Sequence, residues 1–282
     1  MSTETETGAL SETERIKEES GGLRGTLAQE LAEGGTHFSD AARQLLKFHG
    51  SYEQEDRDAR RERKQAGLEP AWQFMVRSKI PGGALTAEQY LVHDELADRF
   101  GNGTLRITTR QGIQLHGVLK GDLRGTIAEL NQALVTTLGA CGDVVRNVVG
   151  CPAPLPGTAR AEALALVREV SDRFLPATRA YHEIWVEGEI VAGGEPEPTV
   201  DPVYGDRYLP RKFKVAFAFP DDNCTDVYTN DLGLVVVAED GRLVGFNVLV
   251  GGGLGQTHGK EETYPRLASP LGYVRPEELL EV

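Results

Sequence analysis

Between Phe74 and Val149 the chain reads strand, helix, strand, strand, helix, strand, an order that few topologies accommodate. Phe74-Met-Val-Arg-Ser-Lys-Ile80 is a largely apolar run closed by the turn Pro81-Gly82-Gly83. Thr86-Ala-Glu-Gln89 has capping-box form, which predicts a helix from there to about Phe100. Thr104 to Thr109 and Ile113 to Val118 read as two short strands around a Gln111-Gly112 turn. Leu123 to Leu138 reads as a second helix and Val144 to Val149 as a final strand. The sequence therefore predicts an α+β chain whose residues 71–150 follow the split βαβ plan.

Residues 1–70 read as a helical arm. Ser11-Glu-Thr-Glu14 and Thr26-Leu-Ala-Gln29 both have capping-box form, and Glu53 to Lys64 interleaves acidic and basic side chains as a solvated helix face does. Cys151-Pro-Ala-Pro-Leu-Pro156 marks a boundary, so that residues 151–282 form a further unit. That unit predicts a helix at about Ala159 to Phe174, a strand around His182 to Glu187 and a polar loop from Gly193 to Asp206. Strands follow at Lys212 to Phe219, Leu232 to Glu239 and Leu243 to Val250, the last two joined by the hairpin signal Asp240-Gly241.

Composition excludes several classes. The formal net charge of −13 argues against a nucleic-acid partner, which normally demands a basic surface. Apolar runs such as Leu243 to Val250 fall far short of the roughly 20 residues of a membrane-spanning helix. The polar, Glu-rich start is not a signal peptide, and three scattered cysteines, Cys141, Cys151 and Cys224, suit a reducing cytoplasm better than a disulfide framework.

Against this acidic background, Tyr208-Leu-Pro-Arg-Lys-Phe-Lys214 stands out. Strand alternation turns Lys212 and Lys214 to one side and Phe213 to the other. Adjacent ammonium groups depress each other's pKa, an arrangement favoured where an anion sits between them. It equally fits a solvated edge whose lysines deter pairing. Arg77 interrupts one apolar run and, two residues apart from Lys79, shares a strand face with it, and Arg146 interrupts Val144-Val-Arg-Asn-Val-Val149. Each needs an anion, either an Asp or Glu of the chain or a ligand. In Arg106-Ile-Thr-Thr-Arg-Gln-Gly-Ile-Gln-Leu-His116, alternation puts Arg106 and Arg110 on one face and Gln114 and His116 together after the turn. Such a set can grip a polycarboxylate, although a lone His is also a common structural residue. Gly251-Gly252-Gly253, with Gln256, Thr257 and His258, forms a glycine-rich loop whose amides could cradle an anion, or a plain flexible turn.

Eight segments together closely resemble the hemoprotein subunit of assimilatory sulfite reductase, within the siroheme nitrite and sulfite reductases. They are Lys47-Phe-His-Gly50 with Asp56-Arg57-Asp58, Ile80-Pro-Gly-Gly83, Thr108-Thr-Arg-Gln111, Leu115-His-Gly117, Arg146-Asn147, Leu209-Pro-Arg-Lys-Phe-Lys214 and Gly245-Phe-Asn-Val-Leu-Val-Gly-Gly-Gly253. The resemblance implies a ferredoxin-like half-domain followed by a mixed α/β half of a siroheme-binding domain. It implies six-electron reduction of sulfite to sulfide at a siroheme coupled to a [4Fe–4S] cluster. Arg77, Arg146, Lys212 and Lys214 match the family's anion-binding positions. Arg106, Arg110, Gln114, His116 and the loop Gly251, Gly252, Gly253, Gln256, Thr257, His258 match segments that line the siroheme and hold its carboxylates.

The family's two pairs of cluster cysteines have no counterpart here, and the chain reads as one copy of a tandem duplication. The expectation is an N-terminal half that is inactive alone. A missing C-terminal half would supply the cluster, and an NADPH-dependent flavoprotein subunit or ferredoxin the electrons. Two further readings stand beside this one: a non-catalytic tetrapyrrole- or oxyanion-binding module, and a siroheme nitrite reductase.

Overall fold

The computed structural model describes residues 10–178, 184–186, 189–192, 200–256 and 258–281. His182, Glu183 and Glu187 of the expected strand, residues 193–199 of the expected polar loop, and Thr257 lie outside the described residues.

The arm begins with α1 (Glu12–Glu18), α2 (Leu27–Ala32) and α3 (Asp40–Phe48). Ser11 closes the expected capping box, its Oγ accepting from Glu14 N at 3.3 Å while Ser11 N donates to Glu14 Oε2 at 3.2 Å. Thr26 does not cap α2; its hydroxyl donates to Glu30 Oε1 at 2.6 Å instead. The arm is not wholly helical. Gly50, at φ 80°, turns the chain where any Cβ would strike the carbonyls of Thr137 and Arg77, and β1 (Ser51–Glu55) follows. The charge run begins as a strand because the Glu53 side chain is turned inward. It is 2% exposed and accepts the Phe38 N–H at 2.7 Å. Only α4 (Arg60–Gln65) keeps the expected exposed helical face.

Next come β2 (Trp72–Arg77), α5 (Ala87–Arg99), β3 (Leu105–Ile107), β4 (Ile113–Val118) and α6 (Leu123–Gln132). Thr86 and Gln89 close the predicted box at the start of α5. The helix α6 ends at Gln132, ahead of Leu134 at φ 59°, six residues earlier than the sequence suggests. The first sheet has the order β1-β2-β4-β3, with every neighbour antiparallel.

In the split βαβ plan the place beside β2 belongs to the last strand of the unit, but β1 occupies it. Residues 144–149 run instead alongside the second half. Val145 bridges Phe213 and Val149 bridges Ala216, both in parallel, with Arg146 N donating to Phe213 O at 2.8 Å. Val144, Val145, Val148 and Val149 are all at most 5% exposed, which requires cover on both faces of the segment.

The second half adds α7 (Thr158–Arg173), a small hairpin of β5 (Ile184–Val186) and β6 (Glu189–Ala192), then β7 (Val215–Ala218), β8 (Leu232–Glu239), β9 (Arg242–Val250) and β10 (Ser269–Val274). The sheet order is β10-β9-β8-β7, parallel only between β7 and β8. Asp240 and Gly241, at φ 48° and 76°, make the tight β8–β9 turn. One apolar cluster runs through both halves, joining Phe74, Leu115 and Val144 to Val167, Phe217 and Phe246. The anion-binding candidates therefore sit on elements that share a core. Among the described residues no helix is long and apolar enough to cross a membrane.

Candidate functional site

Strand register lines up the first group of polar side chains. Arg77 of β2 and Arg106 of β3 both pair with Gln114 of β4, so the three lie in one row across the sheet. With its oxygen turned to Arg77, the Gln114 amide accepts from Arg77 Nε at 3.0 Å and donates to His116 Nε2 at 3.1 Å. Burial, then the Arg106 and Arg77 cations, push the His116 pKa down, so its ring is neutral and able to accept that bond.

From this row Arg77 reaches the Cys141 thiol, Nη1 to Sγ 3.1 Å. Cys141 is fully buried, and burial raises its pKa although Arg77 and Arg146 oppose the rise. The Arg146 guanidinium is fixed by main-chain carbonyls, Nε to Gly142 O at 2.7 Å and Nη1 to Ala140 O at 3.4 Å. Its backbone partner is Phe213, the residue between the two lysines.

Arg110 lies where the two halves meet. It donates to Asn230 Oδ1 at 2.8 Å, Asn147 O at 2.6 Å and Val215 O at 3.0 Å. Burial and the neighbouring Arg146 lower its pKa to about 10. Lys214 Nζ donates to Thr229 O at 2.9 Å, and its backbone N–H donates to Asp231 Oδ2 at 2.8 Å. Burial lowers the Lys214 pKa; Asp231 works against this, while Arg110, Lys212 and Arg211 reinforce it.

Arg77, Arg146, Arg110, Lys214 and Lys212 thus form an electrostatically linked series drawn from β2, the 144–149 segment, the β3–β4 loop and the run-in to β7. Among the described residues none of them is within ion-pair distance of a carboxylate, because the nearby Asp231 pairs with Arg211 at 3.9 Å. Two buried atoms beside this series, Arg110 Nε and Asn147 Oδ1, have no hydrogen-bond partner.

Several expectations are corrected. Arg110 does not share a face with Arg106, because β3 ends at Ile107 and alternation stops there; Arg106 is exposed and Arg110 turns into the junction. Lys79 leaves Arg77's side. Its ammonium, lowered to about 8 by burial, donates to Ser171 O of α7 at 3.3 Å.

The loop amides of Gly251, Gly252 and Gly253 are engaged by the carbonyls of Asp231, Asn230 and Arg266 at 2.9, 3.1 and 2.8 Å, so none of the three is free for a ligand. Glycine is required at 252 for close approach, since a Cβ there would overlap Tyr228 O. Gln256 and His258 are exposed and make no hydrogen bond to the cations among the described residues. Cys141, Asn230 and Asp231 join the site without belonging to any of the motifs described above. The visible signal was an Asn-Asp pair placed immediately before an apolar strand.

A model for the nitrite and sulphite reductase 4Fe-4S domain matches residues 141–282, half of the chain. The chain belongs to the nitrite and sulphite reductase family. A second model, for the nitrite/sulfite reductase ferredoxin-like half domain, matches residues 69–133. The chain is 50% identical over 277 residues to the sulfite reductase [NADPH] hemoprotein beta-component of Geobacillus kaustophilus, covering 98% of this chain and 48% of the relative. It is 49% identical over 276 residues to the protein of that name from Bacillus subtilis, again covering 98% and 48%. This nitrite and sulphite reductase family member therefore spans about half the length of the curated relatives it matches. Among solved structures it is similar in fold to the NirA protein of Mycobacterium tuberculosis, with a TM-score of 0.69 at 23% identity, over 96% of this chain and 45% of that one.

Proposed function

We propose that this chain provides the substrate-side charges of a sulfite reductase hemoprotein that reduces sulfite to sulfide by six electrons at a siroheme coupled to a [4Fe–4S] cluster. One observation carries the reading: Arg77, Arg146, Arg110 and the pair Lys212 and Lys214 come from four segments and, among the described residues, have no carboxylate within ion-pair distance, in a chain of net charge −13. Clustered like charges are costly, and a small dianion among them removes that cost. The names of the relatives support sulfite as the anion and NADPH as the electron source, through a flavoprotein subunit, ahead of nitrite or ferredoxin.

The residues present fit a tetrapyrrole carrying many carboxylates. Arg106, Arg110, Gln114 and His116 would hold it, and Arg110 Nε is a buried donor without a partner. When bound, siroheme delivers electrons to the sulfur. Arg77 and Arg146, held by Gln114 and by main-chain carbonyls, would fix and polarise the anion's oxygens. Lys214, oriented by Thr229 O and with a lowered pKa, would release a proton as an oxygen leaves as water. Lys212, exposed beside it, would add positive charge.

The cysteines do not fit the cluster. Four thiolates are required, whereas Cys141 lies against Arg77 and Cys151 and Cys224 meet elsewhere at Asp222. The cluster's ligands would come from a second half that completes the cytoplasmic enzyme. The same cysteine arrangement favours a second reading for the chain by itself, a tetrapyrrole- or oxyanion-binding module without turnover. The test is to produce the chain with the C-terminal half of a relative and follow oxidation of a reduced dye driven by sulfite and by nitrite. Sulfite-driven turnover exceeding that with nitrite is expected. A siroheme-loaded complex that ignores sulfite overturns the proposal.

A further inference from the structure

Two of the three cysteines take no part in the anion site. The parallel bridge of Val149 to Ala216 carries Cys151 alongside the end of β7, and the turn after β7 folds Asp222 and Cys224 back toward it. Cys151 Sγ donates to Asp222 Oδ2 at 2.6 Å, and Cys224 N donates to Asp222 Oδ1 at 3.0 Å. Both sulfurs and a carboxylate oxygen lie within 4.8 Å of one another.

A second feature points at the same spot. Arg160 of α7 is 8% exposed and sits over the Phe219 ring at 3.8 Å. Its Nη1 makes no hydrogen bond but lies 3.9 Å from Asp222 Oδ2, within ion-pair distance, and its Nη2 donates to Asp221 Oδ1 at 3.5 Å.

We propose that Cys151, Asp222 and Cys224 bind one Zn2+, with the fourth coordination position open to solvent. Two sulfurs and one carboxylate oxygen are a donor set that zinc accepts and that hard cations such as Mg2+ do not favour. Zn–S bonds of about 2.3 Å and Zn–O bonds of about 2.0 Å place tetrahedral ligand atoms roughly 3.5–3.8 Å apart, so the Cys151–Asp222 contact opens by about 1 Å as the metal replaces the proton. On binding, two S–H bonds break, two Zn–S bonds and one Zn–O bond form, and two protons pass to solvent. Two thiolates and a carboxylate exceed the ion's charge by one, and the Arg160 guanidinium, already 3.9 Å from Asp222 Oδ2 and 3.5 Å from Asp221 Oδ1, lies where it offsets that surplus. Cys224 is exposed, which provides the ion with a path from solvent.

The site does not depend on the reductase reading, and its test needs no turnover. The full chain, kept reduced, is titrated with Co2+ and then with Zn2+. Expected are one Co2+ per chain with a thiolate-to-cobalt charge-transfer band and the visible bands of a four-coordinate ion, release of two protons, and displacement by Zn2+. C224S, at an exposed position, is expected to halve the charge-transfer intensity and weaken binding at least about tenfold. D222N is expected to keep the band while weakening binding by a similar factor. A six-coordinate cobalt spectrum without a thiolate band overturns the proposal, as does binding unchanged in both variants.

Discussion

Arg110 and Asn147 hold each other: Arg110 Nη2 donates to Asn147 O at 2.6 Å, and Asn147 Nδ2 donates back to Arg110 O at 2.7 Å. Asn147 Nδ2 also donates to Ile80 O at 2.6 Å, so one side chain ties the β3–β4 loop, the turn after β2 and the 144–149 segment together.

Asn147→Ala leaves the Arg110 carbonyl without its donor in a partly buried setting and the Ile80 carbonyl with the Gly83 N–H alone. An unsatisfied group costs about 1–3 kcal/mol, so a loss of roughly 1–3 kcal/mol is expected in urea denaturation. An unchanged midpoint would show that the clamp contributes nothing.

Lys214→Ala, in the protein completed by its second half, is expected to lower sulfite turnover by about a hundredfold or more while siroheme content stays close to wild type. Equal loss of pigment and turnover would assign Lys214 to holding the cofactor or the fold.

Gly252→Ala separates two explanations of the glycine-rich loop. A Cβ there overlaps Tyr228 O and comes within 2.6 Å of Asn230 O, so the chain is expected to lose about 1–3 kcal/mol of stability with no ligand present. A loop serving only as an amide cradle would show normal stability and impaired pigment binding.

His49 is 3% exposed, and burial lowers its pKa from 6.5 to about 4. Between those values the unfolded chain takes up a proton that the folded chain refuses. The stability present above pH 6.5 is therefore lost progressively as the pH falls toward 4, by at most on the order of 3 kcal/mol. Comparing the pH dependence of urea midpoints for the wild type and His49→Gln isolates this contribution. Parallel curves for the two proteins would rule it out.

What the sequence determined by itself was local. Ile113–Val118 and Leu232–Glu239 have the strand limits that their apolar patterns predict, α5 starts at its capping box, and Asp240-Gly241 turns where a positive φ is needed. Each signal lies within a few residues of the structure that it dictates, so no partner was required to read it. The arginines and lysines planted in apolar runs were legible for a related reason, since such residues are costly there whatever surrounds them.

Only the tertiary structure decided the rest. Whether Ser51–Glu55 or residues 144–149 flanked β2 depended on how deeply Glu53 and four valines could be buried, a property of the whole assembly. Arg110 finds Asn230 across 120 positions, and the amides of Gly251–Gly253 find carbonyls that no glycine count could reveal. Hydrogen-bond satisfaction and charge compensation are settled between segments distant in the chain. For that reason the identities of the cations could be read from one dimension, but their lack of carboxylate partners among the described residues could be read only from three.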